Sequence, residues 1–299
     1  GERKLKPEKP TLIFGAGTCG IASGCGELVE FAKNYLKGRD VNIMSVGCNG
    51  LCFAEPLVDV KLPGKVRLTY TAVDTDKLKR IIDEHLLGGK PVMEFALAQL
   101  TKDPSPMPYG RLEGDEPYEE VPSYDELPFL SGQRRIVLRN CGIIDPEDIE
   151  QYIARGGYRA LYSALTGMDP QKVIDEVKSA GLRGRGGAGF PTGIKWDLCR
   201  KAKGDEKYVI CNADEGDPGA YMNRAEIEGD PHSLIEGMII GAYAIGATAG
   251  FIYARAEYPL AIARLKNPLA QAKEYGVLGK MVLGTDFSFD IDIREGAGA

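Results

Sequence analysis

The chain has 299 residues, of which 43% are hydrophobic and 27% charged, and its formal net charge is −6. This length allows two domains, each with its own core, and the acidic balance without a basic block excludes nucleic acid or an anionic membrane surface as the main partner. The longest apolar run, residues 238–253, is diluted by glycine and alanine and is too short to cross a bilayer, so we expect no membrane insertion.

Residues 1–95 contain apolar segments in an order typical of a thioredoxin-like fold. Short runs with β-branched residues and longer amphipathic stretches predict a strand, a helix, three strands and a final helix. A unit of this size and order is what a thioredoxin-like domain contains. The predicted strands are residues 11–14, 41–46, 57–61 and 66–71, and the predicted helices are residues 21–37 and 74–87.

Two pairs of cysteines lie in this unit, in glycine-rich loops that follow predicted strands. Cys19 and Cys25 form the first pair, and Cys48 and Cys52 form the second. Four thiolates without a nearby histidine can hold an iron–sulfur cluster or zinc. The wide spacing favours [2Fe–2S], because structural zinc sites prefer two-residue spacers. Zinc, or cysteines that are only buried or paired, remain alternatives.

The other three of the seven cysteines stand singly, and an odd, uneven set argues against a disulfide framework. The N-terminus has no apolar signal core. We therefore expect a cytoplasmic protein.

Residues 96–130 are rich in proline and acidic residues. Six of the eighteen prolines fall between Pro104 and Pro128. Such a stretch is typical of a linker or an extended covering segment. It divides the chain into a thioredoxin-like domain (1–95), a linker (96–130) and a second domain (131–299).

The second domain alternates predicted strands and helices, which indicates an α/β fold. Asp145-Pro-Glu-Asp and Asp169-Pro-Gln are helix-start signals. The predicted strands are residues 135–139, 207–212 and 250–256, and the predicted helices are residues 145–155, 169–180, 192–203, 231–245 and 258–275.

Residues 181–196 are glycine-rich and lead directly into a predicted helix. Glycine lacks a Cβ, so the backbone N–H groups of such a loop can close on a ligand. The helix that follows adds unpaired N–H donors and the positive end of its dipole, which together favour phosphate. The loop spells G-x-G-x-x-G, but a helix precedes it where a Rossmann fingerprint requires a strand.

Acidic residues follow the predicted strand 207–212. A lone acidic run is usually surface charge, but the ends of strands in α/β folds carry ligands. Asp214, Glu215 and Asp217 therefore predict a pocket that holds a phosphorylated cofactor beside carboxylates.

Three segments resemble a known family. They are residues 181–196, the run Cys211-Asn-Ala-Asp-Glu-Gly-Asp-Pro-Gly219 and the run Glu228-Gly-Asp-Pro-His232. They resemble the flavin- and NADH-binding subunit shared by respiratory complex I, soluble NAD-linked hydrogenases and NAD-dependent formate dehydrogenases. Together with the N-terminal thioredoxin-like unit, they are most similar to the beta subunit of NAD-reducing or electron-bifurcating [FeFe]-hydrogenases.

The resemblance implies a fold and a site. The fold is α/β, with an N-terminal thioredoxin-like [2Fe–2S] ferredoxin domain before the front part of the FMN-binding domain of the complex I flavoprotein. Glu215 is the candidate catalytic residue, expected near the reacting edge of nicotinamide or flavin. The residues implied to bind FMN and NAD(H) or NADP(H) are Gly184, Arg185, Gly186, Gly187, Ala188, Gly189, Phe190, Lys195, Asn212, Asp214, Glu215 and Asp217.

One departure from the family concerns the cluster. Many relatives carry a cysteine five residues before the position of Cys19, where Phe14 stands here. We expect Cys25 to supply this ligand, so that the metal ligands are Cys19, Cys25, Cys48 and Cys52. If Cys25 cannot reach, the cluster is absent or unstable.

The resemblance also implies a function, namely an electron-entry flavoprotein subunit of a multi-subunit oxidoreductase. Hydride would pass between NAD(P)H and FMN, and electrons would then leave singly to iron–sulfur clusters. The implied partners are other iron–sulfur subunits, including a hydrogenase catalytic subunit and a small thioredoxin-like ferredoxin subunit. Alternatives are the same subunit in a formate dehydrogenase or an NADH:quinone oxidoreductase, or a non-enzymatic cluster-carrying docking module.

The end of the sequence carries one further expectation. Residues 296–299 match only the opening of a later family motif. We therefore expect this chain to be the front part of a longer subunit, whose later part binds [4Fe–4S] clusters.

Overall fold

The computed structural model describes residues 5–107, 112, 114–204 and 206–297, which form two compact units. The first unit comprises residues up to 156 together with residues 225–230, and the second comprises residues 157–224 and those from 231 onwards. Part of the predicted linker and the last two residues of the run 296–299 lie outside the described residues. Among the described helices, none combines the length and the apolarity that crossing a bilayer requires.

A five-stranded mixed sheet forms the centre of the first unit. β1 runs parallel to β2, whereas β1 with β3, β3 with β4 and β4 with β5 pair antiparallel. A parallel pair joined by helices and followed by an antiparallel pair is the thioredoxin-like arrangement, so the predicted fold is confirmed. The strands are β1 (Thr11–Gly15), β2 (Asn42–Val46), β3 (Val58–Lys61), β4 (Arg67–Tyr70) and β5 (Ala96–Leu100), in the order β2-β1-β3-β4-β5.

One face of this sheet carries the main core of the unit. Alternate strand residues point to the same face, and the side chains of Leu12, Phe14, Val60, Leu68 and Tyr70 are fully buried there. The helices of this region are α1 (Thr18–Ala22), α2 (Cys25–Tyr35) and α3 (Thr75–Arg80), and α3 continues as a π-helical segment over Ile81–Leu86.

Two stretches differ from the sequence prediction. Residues 96–100, which we assigned to the linker, form β5. Their sequence Ala-Leu-Ala-Gln-Leu contains no β-branched residue, so only pairing with β4 makes them a strand. Residues 135–139, predicted as a strand, form no strand, and the side chains of Ile136 and Val137 are exposed. The rest of the predicted domain division stays a prediction.

Two short helices complete the first unit. They are α4 (Pro128–Ser131) and α5 (Ile149–Ala154). The Asp148 carboxylate accepts a hydrogen bond from the Glu150 amide over 3.0 Å and so caps the start of α5.

The second unit is built on three parallel strands, β6 (Tyr208–Ala213), β7 (Ala249–Arg255) and β8 (Asp290–Gly296). Parallel neighbours need long crossovers, and helices supply them here. The α/β pattern predicted for this part is therefore confirmed. The helices that remain are α6 (Arg159–Gly167), α7 (Pro170–Ser179), α8 (Thr192–Lys201), α9 (Met222–Gly229), α10 (Pro231–Ile245) and α11 (Pro259–Glu274).

This topology positions the predicted site. The carboxyl ends of β6, β7 and β8 meet at one edge of the sheet, where ligands bind in α/β folds. Helix α8 begins directly after the glycine-rich loop, and α10 packs against both α8 and β6.

Candidate functional site

Three of the four predicted cysteine ligands come together. The sulfur atoms of Cys19, Cys48 and Cys52 all lie within 4.8 Å of one another, and those of Cys48 and Cys52 are 3.4 Å apart. Cys19 lies in the first turn of α1, whereas Cys48 and Cys52 flank the loop after β2. Three converging thiols are a donor set for iron or zinc.

The surroundings of Cys48 favour a bound cation. Burial raises the pKa of the Cys48 thiol far above its ordinary value, the Gly50 amide lowers it, and the neighbouring thiol of Cys52 raises it again. The Gly50 N–H donates to the Cys48 sulfur over 3.3 Å, as amides do to cluster sulfurs. A metal cation would offset the cost of holding one buried and two partly buried thiolates together, so the residues present fit a metal or cluster.

Cys25 is the predicted ligand that this group of three does not include. It is the first residue of α2, fully buried among the apolar residues of the first unit, and its sulfur is not in the group of three. Its assignment as a ligand stays an untested prediction without geometric support.

A second chain segment supports the loop of Cys19. The Glu228 carboxylate, near the end of α9, accepts a hydrogen bond from the Thr18 N–H over 2.8 Å and another from the Thr18 hydroxyl. Gly229 packs against Gly47, since a Cβ on Gly47 would lie 2.4 Å from the Gly229 Cα. Sequence reasoning named the run 228–232 only as a family motif and did not connect it to the cysteines.

Hydrogen bonds join the two ends of the glycine-rich loop, and its middle is open to solvent. The Gly184 N–H donates to the Phe190 carbonyl over 2.8 Å, and the Arg183 Nε donates to the Gly189 carbonyl over 2.6 Å. A Cβ added at Gly186 or Gly187 would meet no atom within 4 Å. Arg183 thus holds the loop in shape.

Six successive amides of this loop have no acceptor in the part of the chain that the structure describes. Within the described chain, the backbone N–H groups of residues 185–190 make no hydrogen bond. Residues 181–188 are exposed, Gly189 is partly buried and Phe190 is half exposed. Gly187 has a φ of +96° and Gly189 a φ of +61°, which glycine adopts without strain. Lys195, one turn into α8, is exposed as well. The loop therefore offers the donors that a phosphate group needs.

Glu215 is held by hydrogen bonds to other residues of the protein. Its buried carboxylate accepts from the N–H of Asn223 over 2.9 Å and of Arg224 over 3.2 Å, at the start of α9. Its carbonyl accepts from Arg255 over 2.7 Å and from the Tyr258 hydroxyl over 3.2 Å. This geometry supports a role in holding α9, and the catalytic role stays a prediction.

The other predicted polar residues lie at the end of β6 and just after it. The Asn212 side chain accepts a hydrogen bond from the Asp214 amide over 3.0 Å, and Asp217 is exposed. Asp214 Oδ1 and Arg255 Nε are buried, lack hydrogen-bond partners within the described chain and stand 3.8 Å apart. Sequence reasoning missed Arg255, although its place at the end of the predicted strand 250–256 was a usable signal.

A family model matches the later part of the chain. Residues 177–299 match the family model of the Nuo51 FMN-binding domain. This match confirms the resemblance drawn from the glycine-rich loop and the Asn-Ala-Asp-Glu run. The matched residues include every residue that we predicted to bind FMN or the dinucleotide.

Individual relatives share about half of the chain. It is 60% identical over 167 residues to the NADP-reducing hydrogenase subunit HndC of Solidesulfovibrio fructosivorans, covering 56% of this chain and 34% of that protein. It is 45% identical over 154 residues to an NADH-quinone oxidoreductase subunit of Escherichia coli (strain K12), covering 51% of this chain and 35% of that protein. The chain spans about a third of the length of these two curated relatives. An NAD+-reducing [NiFe]-hydrogenase structure aligns with a TM-score of 0.44 and 23% identity, covering 98% of this chain and 44% of that one.

Proposed function

We propose that the chain is part of a flavin- and iron–sulfur-containing oxidoreductase subunit that exchanges electrons with NAD(P)H. FMN, when bound, supplies the chemistry of accepting a hydride and releasing electrons one at a time. The protein binds and orients the cofactor, and its cysteine group holds the metal centre that receives the electrons. Hydrogenase-type assembly, with other iron–sulfur subunits as partners, is the form that the relative HndC favours.

The observation that carries this proposal is the row of amides at residues 185–190, which have no acceptor among the described residues. These N–H groups line an open loop at the start of α8, and this loop lies inside the segment that matches an FMN-binding domain. Backbone donors together with a helix N-terminus bind phosphate esters, and the exposed Lys195 adds a positive charge on the first turn of α8. We assign this loop to the FMN phosphate.

The cysteine group supports the second half of the proposal. Cys19, Cys48 and Cys52 supply three thiolates, and the Gly50 N–H is a sulfur-directed donor. We assign the group to an iron–sulfur cluster, for which one further ligand has to be identified. NAD(P)H binding near Asn212, Asp214 and Asp217 is proposed from their place at the end of β6 and just after it.

The test uses the complete subunit, purified anaerobically after expression with iron. We expect stoichiometric FMN by absorbance, loss of the flavin absorbance on addition of NADH or NADPH, and an iron–sulfur electron paramagnetic resonance signal after reduction. A protein that takes up no flavin even when incubated with excess FMN would contradict the proposal.

The same experiment separates the main alternative. A non-enzymatic docking module would show the iron–sulfur signal without flavin and without a response to NAD(P)H. Adding hydrogenase, formate dehydrogenase or quinone-reductase partner subunits one at a time would then identify the electron partner.

A further inference from the structure

Arg135 lies against the loop between Cys48 and Cys52. Its Nη2 donates to the Asn49 carbonyl over 2.5 Å. The side chain is partly buried, and this burial lowers the pKa of the guanidinium, with smaller opposing effects from Tyr124, Cys141 and Cys48. Arg135 therefore sits near the cysteine group rather than in open solvent.

The peptide unit that Arg135 contacts is the one that faces Cys48. The carbonyl of Asn49 and the N–H of Gly50 belong to the same planar peptide and point in opposite directions. Arg135 binds the carbonyl side, and the N–H side donates to the Cys48 sulfur over 3.3 Å. Gly50 has a φ of +95°, a conformation that glycine adopts readily. A hydrogen bond at one end of a peptide polarises the bond at its other end.

The guanidinium has no carboxylate as a partner in the described part of the chain. Arg135 lines a cavity of about 470 Å³, and Asp103 and Asp125 line it too. Asp103 binds Arg155, however, and Asp125 binds Lys102. A partly buried charge without a counter-ion is costly. The nearby thiolates, which exist as anions when they hold metal, can take that role.

We propose that Arg135 is a positioning residue of the cysteine group, which fixes the Asn49–Gly50 peptide on the Cys48 sulfur and stabilises added negative charge there. This inference rests on the iron–sulfur assignment in the proposed function. One-electron reduction adds one negative charge to such a group. A fixed positive charge and an N–H donor both favour the reduced state, so Arg135 raises the midpoint potential.

The test is a potentiometric titration followed by electron paramagnetic resonance on the complete subunit. Arg135→Gln removes the charge, and Arg134→Gln, at the exposed neighbouring position, is the matched control. We expect a more negative midpoint potential in Arg135→Gln and the wild-type potential in Arg134→Gln. Arg135→Lys, which keeps the charge but loses the fork of donors, is expected to lie between them.

The outcomes separate this proposal from the one before it. An Arg135→Gln potential equal to that of the wild type, or an equal shift in Arg134→Gln, overturns the role of Arg135 alone. Absence of any iron–sulfur signal in the wild type overturns the cluster assignment and this proposal together. If Arg135→Gln does not retain iron, the Arg135→Lys potential decides, and a wild-type value there counts against the proposal.

Discussion

At the scale of single residues, conformation and burial decide which groups can act. Gly187 combines a positive φ with open space on its Cβ side, whereas Cys25 combines a reactive side chain with full burial in an apolar core. At Gly187 the missing side chain leaves room for a ligand to approach the backbone amides. Cys25 is a residue whose side chain is buried in the main core of the first unit.

Gly187→Val is expected to abolish FMN retention. The branched side chain of valine would enter the space that we assign to the cofactor. The φ of +96° at position 187 is also unfavourable for valine, by about 1–2 kcal/mol. Gly279→Val is the control, because Gly279 has a φ of +102° and similar open space away from the loop. Flavin content per purified protein is the measurement, and normal content in Gly187→Val would refute the proposed pocket.

Cys25→Ala is expected to retain iron, whereas Cys19→Ala and Cys52→Ala lose it. Only the latter two sulfurs belong to the group of three. Removing the buried Cys25 thiol should lower the free energy of unfolding by about 1–2 kcal/mol, because a small cavity remains in the core. Iron analysis together with denaturant unfolding tests both parts. Loss of iron in Cys25→Ala would instead support the assignment of all four cysteines as ligands.

At the scale of elements, a buried ion pair ties the segment after β5 to the end of α5. The Asp103 carboxylate accepts from Arg155 Nη2 over 2.8 Å and from the amides of Ser105 and Leu112 over 2.8 Å each. Both charged side chains are almost fully buried. Breaking such a pair by removing one partner typically costs about 3–5 kcal/mol.

Asp103→Asn should therefore destabilise the protein, and its effect should depend on pH. Burial raises the pKa of Asp103, but Arg155 and the two amides outweigh burial and hold the pKa below its ordinary value. A lowered folded-state pKa stabilises the fold above the unfolded pKa of about 4, and this contribution is lost as the pH falls through the folded value. The deficit of Asp103→Asn relative to wild type should be largest at neutral pH and shrink in acid.

Urea unfolding of wild type and variant at pH 7 and below pH 4 measures this deficit. Asp125→Asn is the control, because its pair with Lys102 is exposed and is worth less than about 1 kcal/mol. A deficit that does not change with pH would show that the charge of Asp103 is not what stabilises this contact.

At the scale of the whole molecule, the two proposed cofactor sites belong to different compact units. The three cysteines lie in the first unit, and the glycine-rich loop lies in the second. Each unit has its own sheet, so each site is supported by its own framework.

Cys48→Ser is accordingly expected to remove the iron–sulfur signal and leave FMN binding unchanged. Serine is a poor replacement for a thiolate ligand, and Cys48 belongs to the first unit whereas the glycine-rich loop belongs to the second. Cys199→Ser, on α8, is the control that should keep both signals. The measurement pairs electron paramagnetic resonance with flavin absorbance, and joint loss of cluster and flavin in Cys48→Ser would argue against independent sites.

The sequence by itself determined the local features of this protein. Periodicity predicted most helices and strands, and the glycine-rich loop and the run after β6 led to the FMN-binding family, which the comparison over residues 177–299 confirmed. Local spacing is enough for such features, because a strand, a helix start or a glycine loop depends mainly on residues close together in the chain.

Only the tertiary structure decided which distant side chains meet. It grouped three cysteines without Cys25, turned residues 96–100 into β5, directed the Glu215 carboxylate to α9, and joined Thr18 to Glu228 across 210 positions. It also placed Arg135 behind the cysteine loop. These contacts depend on which way each side chain points after packing, and the sequence pattern carries no direct record of that direction.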